Sequence, residues 1–228
     1  MDGGAWQDGI PADLVIRRSS RAKRLILRVS SVDGTVSVTV PKGVSERAAL
    51  AFVRDRADWI AQHRSQLEGP APVGLGSTLP IFGVPHTVVQ GSGRAVRLGS
   101  GAIAVPEGRV GRRLGSFLKH LARDALADAS DRYAVRLGRS YTSLALRDTR
   151  SRWGSCSSKG RLMYSWRLVM APRDVLNYVA AHEVAHLAHM DHSPRFWAAV
   201  ARIHGPYAAP RAWLRTQGTA LHRFRFED

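Results

Sequence analysis

Four of the chain's nine histidines fall within eleven residues, 182 to 192, in the stretch AHEVAHLAHMDHSPRFW that runs from Ala181 to Trp197. His182-Glu183-Val184-Ala185-His186 is an HExxH motif. Four helical residues advance by about 400°, so His182 and His186 stand one turn apart on one face and can bring two imidazole nitrogens onto one metal ion. Glu183 points away from that line, where it can hold a metal-bound water without becoming a ligand. A tetrahedral zinc ion that keeps a position open for water needs a third ligand from another direction. His192 is favoured, because it lies where the chain turns before the Ser193-Pro194 helix start; His189 and a distant carboxylate are the alternatives. Bound zinc would bring the pKa of its water toward about 7, with Glu183 taking the proton and passing it to a leaving amine. Amide-bond hydrolysis is the reaction expected. Tyr178, His189, His204 and nearby arginines are candidates to stabilise the oxyanion.

Positioning these groups falls to the flanking elements. Pro172 and Asp174 open a predicted helix, PRDVLNYVAAHEVAHLAHM, and Ser193-Pro194 opens a second, RFWAAVARI, with YAAPRAWLRTQGTAL as a third. Upstream, SLALRD, SRWGSCS and RLMYSWRLVM read as strands, the last two joined by the Ser157-Ser158-Lys159-Gly160 turn, and the segment from Val110 to about Gly138 is helical. The front half holds the short β-rich runs LVIRRSS, AKRLILRVSS and TVSVTVP, the last two forming a hairpin through Asp33-Gly34. One helix follows over VSERAALAFVRDRADWIAQHRSQLE, capped by Ser45 and with Trp59 and Leu67 among its apolar positions. IFGVPHTVVQ, RAVRLGS and AIAVPEG are further strands. Residues 1–12 are expected to be a flexible tail, 13–107 a β-rich region with one helix, and 108–228 the domain that carries the motif.

At 228 residues and 44 % hydrophobic content the chain can build a real core. Cys156 is the one cysteine, which excludes an intramolecular disulfide, and neither a signal-like start nor an apolar run of about 20 residues is present, so a cytoplasmic location is expected and no membrane association. The net charge of +16 is uneven: residues 132–173 hold ten Arg or Lys against the single acid Asp148. That field attracts nucleic acid or acidic surfaces, and DNA contact through Arg147, Arg150 and Arg152 is the alternative reading to peptide hydrolysis. Only four of the 34 cations are lysine, so the arginine excess also has a bland reading as coding bias on a solvated face. Trp153-Gly154-Ser155-Cys156 reads either as a strand edge that holds an extended peptide or as core residues with a glycine bulge, and Cys156 as a fourth, site-closing zinc ligand would leave Glu183 without a task.

The residues RSRWGSCSSKGRLMYSWRLVMAPRDVLNYVAAHEVAHLAHMDHSPRFW resemble the YgjP-like zinc metallopeptidases, relatives of the SprT-like peptidases. The likeness is carried by the RWGSC strand, the Trp-Arg-Leu stretch, the proline before the helix, the YVxxHExxH helix and the HSPxFW exit; VPKGVSE and WIxxHRxQL extend it to the front half. It implies one zinc per chain held by His182, His186 and His192, Glu183 as catalytic acid/base, a peptide or protein substrate and a cytoplasmic peptidase. The fold it implies is α+β: a β-rich N-terminal part, then a zincin-like metallopeptidase domain with a small antiparallel sheet packed on the HExxH helix. His189 stands where metzincins need glycine, which sets the chain apart from that group. DNA-associated proteases among SprT-like relatives lend the arginine-rich strands added interest.

Overall fold

A computed structural model describes residues 6–30, 33–65 and 69–227. The chain forms two compact units, Met1–Pro70 and Ala71–Asp228.

In the first unit, β1 (Trp6–Gln7) and β2 (Ile10–Pro11) pair antiparallel, so the described part of the expected tail is folded back on itself; residues 1–5 lie outside the described residues. β3 (Val15–Ser19), β4 (Ile26–Val29) and β5 (Val36–Pro41) form a sheet in the order β3-β5-β4. The β4–β5 hairpin is antiparallel, as its alternation suggests, while β3 runs parallel to β5. Val36, Val38 and Val40 point to one face and are fully buried, the period-2 pattern of a half-buried strand. They meet Ala49, Val53 and Ile60 from two helices, α1 (Glu46–Arg54) and α2 (Ala57–Ser65), rather than the one helix expected. Ser45 Oγ accepts from the Ala48 amide and caps α1, and the break at Asp55 redirects the chain so that Ile60 reaches the same core as Val53. Trp59 is exposed, and Leu67 lies outside the described residues.

The second unit begins at β6 (Ala71–Pro72), well before residue 108. Its sheet of β7 (Thr78–Ile81), β8 (Val84–Gly91), β9 (Arg97–Leu98) and β10 (Ala102–Pro106), ordered β7-β8-β10-β9, gives Leu79, Ile81, Val88, Ile103 and Val105 to the core that also holds Leu114, Leu118 and Leu126. Those strands have no core without the helix after them, so the boundary drawn at 107/108 moves to 70/71. That helix, α3 (Val110–Leu137), ends on the left-handed Gly138.

Next come β11 (Ser143–Arg147), β12 (Gly154–Cys156) and β13 (Arg161–Ser165), ordered β11-β13-β12. β12 and β13 form the expected antiparallel hairpin, but β11 is parallel to β13, so the sheet is mixed rather than antiparallel. The 13 residues between Arg147 and Arg161 make the crossover that parallel pairing requires, and leave β12 as an edge. Trp166–Met170, read as strand from sequence, is a buried 3-10 turn. α4 (Arg173–Ala185), α5 (Pro194–His204, with Pro194 in its first turn) and α6 (Ala208–Thr216) follow, and a 3-10 turn (Gly218–Arg223) leads to β14 (Phe224–Arg225), which pairs with β6. The architecture is a mixed α+β one. Among the described residues no helix is long and apolar enough to cross a membrane.

Candidate metal centre

α4 buries Val179, Ala180, Val184 and Ala185 against the core, and this fixes the rotation of the helix that presents His182 and Glu183. The helix ends at His186 rather than at Met190; the 189 amide donates to Ala185 O and the chain then turns away. His186 Nδ1 lies 2.9 Å from the carbonyl oxygen of His189. A neutral imidazole that donates there leaves its Nε2 lone pair free. The contribution of residue 189 is therefore its main-chain oxygen, while its imidazole stands outside the cluster.

His192 returns from the turn before α5, and its Nε2 comes 3.2 Å from His182 Nε2. One nitrogen from each of His182, His186 and His192 lies within 4.8 Å of the others. Two nitrogens on a tetrahedral zinc at 2.0–2.1 Å would be about 3.3 Å apart, close to the 3.2 Å between His182 and His192. Burial, followed by the neighbouring His186, His192 and Arg211, pushes His182 down to about 3, and burial likewise holds His186 below the usual imidazole range. Unprotonated rings with converging lone pairs suit a metal ion. Behind them stands Phe196, fully buried, with its ring centroid 4.9, 4.5 and 4.8 Å from those of His182, His186 and His192. This shared wall was hidden in the sequence as an ordinary apolar position of α5.

Glu183 leaves α4 on the side of β12 and is 5 % exposed. Burial raises its carboxyl to about 8 against the opposing charge of Arg152. Gly154 provides its space: a Cβ added there would lie 2.6 Å from Glu183 Cγ and Oε1 and 2.8 Å from Cδ. Trp153 stacks on His222 with ring centroids 5.1 Å apart, and Gly218 lets the C-terminal turn close over the indole. Trp153 and Gly154 thus anchor the edge strand beside the glutamate. Their role depends on a long-range contact, and no local spacing marks it.

Cys156 is not part of the histidine group; its Sγ reaches the Ser157 carbonyl at 3.5 Å, and burial with the nearby Glu183 pushes the thiol up to about 11. Tyr178 is 5 % exposed and meets His182 edge-on, His204 packs against Tyr133 and Tyr178, and Arg211 stacks over Trp197 at 4.6 Å. Several cations of the basic run are already engaged. Arg167 makes a double ion pair with Asp148 at 2.7 and 3.1 Å and donates to Leu221 O and Phe224 O, Arg132 pairs with Asp128, and Arg136 donates to Ile203 O.

No curated protein matches the sequence. Among solved structures, the crystal structure of the metallopeptidase zymogen of Pyrococcus abyssi abylysin aligns with 40 % of this chain and 95 % of its own length, at 21 % identity and a TM-score of 0.36, too slight a likeness to bear on the chemistry. The sequence profile of the YgjP-like metallopeptidase domain, by contrast, matches residues 23–217, which span both units and the whole histidine cluster. The chain belongs to the YgjP-like family and carries its metallopeptidase domain.

Proposed function

We propose that the protein is a zinc-dependent peptidase, with zinc held by His182, His186 and His192 and with Glu183 as the catalytic acid/base. The observation that supports it best is the convergence of three imidazole nitrogens within 4.8 Å beside a buried carboxyl. A zinc ion there supplies Lewis acidity at the scissile carbonyl. Glu183, buried beside the cluster, would take the proton of the attacking water at its carboxylate and return it to the leaving nitrogen. The outer edge of β12 leaves main-chain groups for an extended peptide to pair with, as in a zincin cleft. The test is Glu183→Gln: one zinc per chain remains while hydrolysis of an unfolded protein substrate falls by at least about 10³-fold. Wild-type turnover in that variant would exclude the mechanism.

A second reading, recruitment of nucleic acid, is favoured by a cleft of about 440 Å³ lined by Lys119, Arg123 and Arg147 together with the ion-paired Asp148. It requires binding of a DNA oligonucleotide that weakens steeply with salt and with neutralisation of those three residues. Salt-insensitive binding, or none at low salt, rejects it.

A further inference from the structure

A cavity of about 510 Å³ opens beside the histidine cluster, with His186 in its wall. Its rim holds two cations, Arg139 and Lys159, and among the described residues no carboxylate lines it or pairs with either. Both are presented by rigid backbone. Arg139 follows the left-handed Gly138, and its amide is tied to Ala134 O at 3.1 Å. Lys159 sits in the turn between β12 and β13, which is closed by Gly160 N to Ser157 O at 2.9 Å and by Ser157 Oγ accepting from the Arg161 amide at 3.2 Å. Thr142 fastens the two walls together: its hydroxyl donates to Lys159 O at 2.9 Å and its amide to Gly160 O at 2.8 Å. Leu187 and Met190 give the remaining wall an apolar surface, Met190 being 54 % exposed.

This placement couples the cavity to the edge strand. β12 runs from Gly154, against Glu183, to Cys156, and Ser157 already lines the cavity. Three strand residues cover about 10 Å. A peptide laid along that edge with its scissile bond near Glu183 therefore drops a side chain into the cavity within about three residues of the bond. Two cations on the rim, hydroxyls and an apolar wall for methylene groups suit a carboxylate on a short stem.

We infer that this cavity is a side-chain subsite that selects peptides carrying aspartate or glutamate at one fixed position near the scissile bond. The inference rests on the peptidase reading above and adds a substrate class to it.

The test uses the zinc-loaded full chain and synthetic peptides randomised around a common core, with cleavage products read by mass spectrometry. The expected result is an enrichment of Asp and Glu over Asn and Gln of about tenfold at a single position, within the range of two partly exposed charge pairs. In the Arg139→Gln/Lys159→Gln double variant that ratio falls to about one, and Arg139→Glu/Lys159→Glu inverts it toward Lys and Arg. An acidic preference that survives both variants, or no preference in the wild type, overturns the subsite. Should no peptide be cleaved, the peptidase reading fails, and binding then decides the subsite. A fluorescein-labelled Asp-containing peptide should bind Glu183→Gln protein about tenfold tighter at low salt than its Asn counterpart; equal affinities overturn it.

Discussion

Gly154→Ala places one methyl group against the carboxyl on which the proposed chemistry depends. The added Cβ would stand 2.6 Å from Glu183 Cγ and Oε1, whereas ordinary contact begins at 3.4 Å, so one side must give way by about 0.8 Å. β12 is hydrogen-bonded to β13 and anchored through Trp153, which leaves the glutamate side chain as the softer partner. Near 5 % exposure it has little room to retreat without leaving its working position. Displacements of about 1 Å at reacting groups cost on the order of 10²-fold in rate, and overpacking of this size costs about 1–3 kcal/mol. We therefore expect kcat to fall about 10²-fold, with zinc still at one per chain and Tm lower by about 2–10 °C. Steady-state kinetics on a peptide substrate, metal analysis and calorimetry on the same preparation provide the assay. Wild-type kcat, or loss of zinc in step with activity, would refute the reasoning, since the first means that Glu183 has spare room and the second that the histidine cluster moves with it.

Three further outcomes are expected. His192→Ala should lose stoichiometric zinc while His189→Ala keeps it, because residue 189 serves through its main-chain oxygen; metal analysis after gel filtration decides between them. Arg167→Ala should destabilise the fold by about 3 kcal/mol in urea titration, as it strips a double ion pair and two carbonyl partners from a side chain that is 7 % exposed. His222, pushed down to about 4 by burial and then by Arg167, stays neutral in the fold while an unfolded chain protonates it near 6.5. Its contribution is thus complete above about pH 6.5 and is lost as pH falls toward 4, so His222→Gln should flatten the urea midpoint over that interval in metal-free protein, and an unchanged slope would contradict this.

The long periodic segments were legible from the residues alone: α3 across 110–137 and the proline-led start of α5 follow from spacing and helix-start chemistry. So was the pairing of His182 with His186, because a single helix supplies both. The end of α4 was not, since LAHM contains no breaker and the turn there is held by His186 Nδ1 and the 189 carbonyl, a demand of the site rather than of propensity. Parallel pairing of β3 with β5 and of β11 with β13 was equally hidden, because alternation tells which face is buried but not which strand lies alongside. The strands β8, β9 and β10 were recognised, yet Val88 and Ile103 carry no mark of the helix that covers them. Gly154 is the sharpest case: as a residue it reads as a bulge or a cleft edge, and its function resides in an atom 29 positions away.

Phe196 sets a limit on how this protein can vary in length. Its ring touches all three histidines, it belongs to the first turns of α5, and His192 stands two residues before that helix begins. Surface connections usually absorb an inserted or deleted residue at little cost. The three residues between His192 and Phe196 do not have that freedom. A single insertion would let α5 keep its packing only by carrying His192 out of reach, or keep His192 in reach only by rotating Phe196 about 100° out of its place.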